Sequence, residues 1–153
     1  MLELLASWGE FLGGVAVVIS LIYVGLQVRA SVKQSQLDSY TKFAELFTNW
    51  TSSIYASADT TQAFASGVGA YNSLNEEDKV RFNLMMAMYY GIVDTVMAHE
   101  AKGIYQYPEA YKRHLQMALD YYRMPGVRQW WEQGGRDLPY PHIVEYLENL
   151  PEE

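Results

Sequence analysis

From Phe11 to Val28 the chain passes through 18 consecutive residues without a formal charge, FLGGVAVVISLIYVGLQV, eleven of them Val, Ile, Leu or Phe. These apolar positions fall on every side of a helical wheel, so a helix here has no polar face to turn toward water. At 1.5 Å per residue it is about 27 Å long, close to the roughly 30 Å of a bilayer hydrocarbon core. The pattern predicts a transmembrane helix over residues 10–28. A cleaved signal peptide fits less well, because the flank before the run holds Glu3 and Glu10 but no Lys or Arg, and no Ala-x-Ala type boundary follows it.

Beyond the span the period stays helical. Leu37, Tyr40, Phe43, Leu46, Phe47, Trp50 and Ile54 recur at spacings of three and four, and no Pro or Gly separates Val28 from Ser57. The membrane helix is therefore expected to continue into a long amphipathic one. A short helix is expected over 58–66, with Asp59 as N-cap and Gly67 and Gly69 as its end. Ser73 followed by Glu76, with Glu77 and Asp78 next, reads as a capping box opening a central helix of about 74–102, which Lys102 and Gly103 stop. Pro108 introduces a further helix, Pro125 opens PGVRQWWEQ before Gly134 and Gly135, and a last short helix is expected around His142–Asn149. No stretch alternates apolar and polar residues long enough for a strand. The expected fold class is all-α: a tail and one transmembrane helix over 1–29, then a compact helical-bundle soluble domain over 30–153.

The flanks of the span suggest anchors and a direction. Trp8 and Tyr23 are placed to sit near the two headgroup layers, and Arg29 and Lys33 follow the apolar run, which favours a cytoplasmic soluble domain. Gly13, Ala16 and Ser20 are small, and Ala16 with Ser20 forms a small-xxx-small pair that lets helix backbones approach. Trp130 and Trp131 are neighbours, about 100° apart on a helix, so one core is not expected to bury both; one of them is expected at a partner contact.

Composition narrows the chemistry. A net charge of −7 argues against nucleic acid as a partner, since phosphate binding calls for a basic stripe. The chain has no cysteine, which removes disulfides, thiolate metal sites and cysteine nucleophiles. His99, His114 and His142 show no metal-ligand spacing, and no G-x-S-x-G elbow or phosphate-binding glycine loop is present. Neither a cofactor nor an enzymatic activity is expected. Charge is segregated: Glu45–Asp78 carries five acids and no Lys or Arg, whereas Lys102–Arg128 carries five bases against two acids.

The segment Gly13–Arg29, GGVAVVISLIYVGLQVR, together with Pro125–Glu132, PGVRQWWE, resembles a group of small uncharacterised bacterial membrane proteins. The resemblance implies a single span, a helical domain and the bacterial inner membrane, and brings no activity with it. The expected function is a non-enzymatic membrane-anchored scaffold or accessory subunit, acting by self-association or by docking on a larger membrane complex. The alternatives are a homo-oligomeric channel or transport component whose spans line a pore, and a ligand or lipid sensor with a pocket between aromatic-rich helices.

Overall fold

A computed structural model describes the backbone of residues 2–105 and 107–150, and side chains from Trp8 onward. It is all-α, with six helices and no strand among the described residues: α1 Leu2–Ile54, α2 Ala58–Ala70, α3 Glu76–Ala101, α4 Pro108–Tyr122, α5 Pro125–Glu132 and α6 Pro141–Glu148. Short 3-10 turns follow α2 and α5 at Tyr71–Ser73 and Gly135–Asp137. The chain divides into two compact units, residues 1–38 and 39–153.

In the first unit every residue from Trp8 to Ser35 is exposed, and α1 is long and apolar enough to cross a membrane. Its polar side chains are satisfied within the helix. Ser20 Oγ donates to the Ala16 carbonyl (2.8 Å), and Gln27 Nε2 donates to Tyr23 OH (2.9 Å). These are the polar residues of the 11–28 run, so each has a local partner where no water is needed.

The second unit is built around α3, whose Phe82, Met85, Met86, Tyr89, Tyr90, Ile92, Val93 and Val96 are buried. The last turns of α1 bring Phe43, Trp50 and Ile54 into the core. Aromatic rings make up much of it, and three of their polar tips find partners across the chain: Trp50 Nε1 donates to the Met85 carbonyl (2.8 Å), Trp130 Nε1 to Asn83 Oδ1 (2.8 Å) and Tyr90 OH to the Ala118 carbonyl (3.3 Å), whereas the buried Tyr89 hydroxyl has none among the described residues.

Three local expectations are corrected. α2 is capped by Ser57, not Asp59: Ser57 Oγ accepts from Thr60 N and Thr60 Oγ1 accepts from Ser57 N, each at 3.1 Å, while Asp59 adds its charge to the first turn. α3 is capped by Asn75, not Ser73. Asn75 Oδ1 accepts from Asp78 N (2.9 Å), and the Ser73 hydroxyl turns back to the Ala70 carbonyl. Gly67 does not end α2, which runs on to Ala70. A Cβ at Gly67 would enter the Phe82 ring, and one at Gly126 would collide with the Gly67 carbonyl, so Gly67 makes room for a side chain of α3 and Gly126 lets α5 meet α2 at backbone distance.

The tryptophan pair is the fourth correction. Trp130 and Trp131 are 1% and 3% exposed and belong to one core, so neither stands on the surface to meet a partner. The 100° between them is covered because α5 is only eight residues long and is enclosed from several directions. Trp130 stacks on Tyr90 (5.7 Å, 13°), Trp131 lies edge-on to Tyr122 (5.7 Å, 85°), and Gly135 leaves room for the Trp130 ring in the turn that follows.

Candidate functional site

Helix α6 begins at Pro141, and the residue before it, Tyr140, offers no side-chain cap. The cap comes from α3 instead. Asp94, the one buried charged residue among those described, accepts from His142 N (2.7 Å) and Ile143 N (3.0 Å) through Oδ1, and its Oδ2 lies 3.5 Å from His142 Nδ1. Two otherwise unbonded amides and the positive end of the helix dipole are thereby satisfied by one carboxylate. Tyr140 closes over Gly91, where a Cβ would stand 3.0 Å from the ring.

This attachment leaves a cleft of about 410 Å³ between the last turn of α3, the start of α4 and one face of α6. Its walls include Met97 and Glu100 from α3, Tyr111 from α4, and His142, Glu145 and Tyr146 from α6. Burial raises the Tyr111 phenol above its ordinary value, with the charge of Glu100 and then Tyr146 adding to the effect, so these groups converge. Among the described residues lining the cleft there is no Ser, Thr or Lys that His142 could activate as a nucleophile. Its chemistry is that of a binding surface with carboxylates beside aromatic rings.

The other histidines are engaged elsewhere. His114 stacks flat on Phe47 (4.2 Å, 7°), and burial, then the charge of Arg113, lowers its pKa. His99 Nδ1 lies 2.8 Å from the Thr95 carbonyl, and its ring meets Phe43 edge-on (5.2 Å). No group of three or more His, Asp or Glu side chains suited to a metal ion occurs among the described residues.

The residues assigned to the membrane lie in the first unit. Trp8 and Tyr23 are 57% and 60% exposed, and Arg29 and Lys33 further along the helix are exposed as well. From Trp8 to Arg29 the helix rises about 31 Å at 1.5 Å per residue, the scale of a hydrocarbon core. Gly13 faces open space, and the Ser20 hydroxyl is held against Ala16, one turn back. Sequence reasoning missed the pairing of Asp94 with His142, because 48 positions separate them and no local spacing signals the contact. No known protein family, curated protein or solved structure matches this chain.

Proposed function

We propose that the chain is a single-pass membrane protein of the bacterial inner membrane whose helical domain is cytoplasmic and acts, without chemistry of its own, as a scaffold or accessory subunit. One observation carries this reading: from Phe11 to Val28 the helix is apolar and wholly exposed, and its polar side chains Ser20 and Gln27 are bonded to their own helix. Lipid is the solvent such a surface requires. Arg29 and Lys33 support the cytoplasmic side.

Association is supported by an exposed apolar stripe on the helical domain. Val80, Leu84 and Met88 stand one turn apart on α3, and Leu84 is 63% exposed. The small residues Gly13, Ala16 and Ser20 offer a second route to self-association, within the bilayer. A pore lined by Ser20 is less well supported, since that hydroxyl is turned onto the Ala16 carbonyl.

The test is the native mass of the full chain extracted in a mild maltoside, with co-purifying proteins identified. Retention in carbonate-washed membranes, together with a homo-oligomer or a stoichiometric heteromer, is the expected result. Release by carbonate would remove the anchor, and an unaccompanied monomer would remove the scaffold. Because the chain has no cysteine, single Ala16→Cys and Leu84→Cys variants report by disulfide crosslinking which surface is used.

A further inference from the structure

We propose that the cleft between α3, α4 and α6 is a binding site for an organic ammonium ion. Four features point the same way. Glu100 from α3 and Glu145 from α6 both line the cleft, and neither is ion-paired to a Lys or Arg among the described residues. Tyr111 and Tyr146 line it with them, Tyr111 near enough to feel the charge of Glu100, and a ring face attracts a cation through its quadrupole. Met97 and Leu150 add apolar atoms to the lining, which suit alkyl groups on nitrogen better than a bare metal ion. The positive end of α6, which would favour an anion, is already neutralised by Asp94.

An anion would be repelled by the two carboxylates, and a neutral ligand would gain no attraction from them. Lys102, just past the end of α3, is exposed and forms no part of the lining. The ammonium group has two possible sources, a soluble amine or the choline or ethanolamine headgroup of a lipid. The inference does not depend on the scaffold reading and goes beyond it.

The experiment follows the Met97 methyl signal of the full chain in maltoside micelles, titrated with tetramethylammonium chloride against sodium chloride at equal ionic strength. The neutral isostere 3,3-dimethylbutan-1-ol is a third titrant. Saturable binding of the tetramethylammonium ion alone is expected, with a Kd raised at least about tenfold in Glu100→Gln/Glu145→Gln and also raised in Tyr146→Leu. Both carboxylates lie at the surface, so the double variant keeps its thermal unfolding midpoint and the comparison stays like with like. Equal binding of the neutral isostere, an unchanged Kd in the double variant, or no saturable shift at all overturns the proposal. Nanodiscs identify the source: a site filled in phosphatidylcholine without added cation takes the headgroup, while one that still requires the added salt takes a soluble amine.

Discussion

Residues 8–35 and α3 are both long helices rich in apolar side chains, yet they resolve their hydrophobicity in opposite ways. Leu21 in the first is 66% exposed, and Phe82 in the second is fully buried. The polar groups differ in the same sense. Ser20 and Gln27 bond within their own helix, whereas Asn83 and Asp94 of α3 bond to Trp130 and to the start of α6. The exposed helix satisfies its polar groups within itself, and the core helix uses its polar groups to attach other elements.

The comparison can be broken first in the core. Trp130→Ala removes a buried ring and the partner of Asn83, and should cost about 3–5 kcal/mol of domain stability; denaturant unfolding monitored by circular dichroism measures it. Ile19→Arg should leave the domain's unfolding midpoint in place but cost about 3 kcal/mol of membrane insertion at mid-span, seen as a shift toward the carbonate-soluble fraction. If Ile19→Arg instead unfolded the domain and left membrane retention unchanged, the contrast between the two helices would fail.

Asp94→Ala strips the cap from α6 and should cost about 2 kcal/mol, with hydrogen exchange rising first at the His142 and Ile143 amides. His114 gives a pH dependence whose sign follows from its lowered pKa. The folded state binds this proton less readily than the unfolded chain does, so stability is retained above the ordinary histidine value near 6.5 and declines as pH falls through the lowered folded value. His114→Leu should flatten that part of the profile. Leu84→Ser, on the exposed stripe, should change stability by less than about 0.5 kcal/mol while weakening any assembly that uses this surface.

Much of the architecture was legible along the chain because it rests on local rules. Pro108 and Pro125 open their helices at the first position, and Lys102 with Gly103 closes α3, Gly103 taking a φ of 67°. Cap positions were displaced by two residues at Asp59 and Ser73, since several residues near each start can accept a backbone hydrogen bond and the geometry selects among them. The cleft was not legible at all. Its walls come from three helices, and the Asp94 bond that holds α6 in place connects residues far apart in sequence.

What the sequence determined by itself is the all-α class and a long apolar helix with no polar face, because both follow from composition and period within a few turns of helix. The burial of Trp130 beside Trp131, the close approach of Gly67 to Gly126, and the capping of α6 by Asp94 were decided only in three dimensions. Each is a contact between distant segments, and its strength depends on how completely the surrounding helices exclude water, which no local pattern encodes.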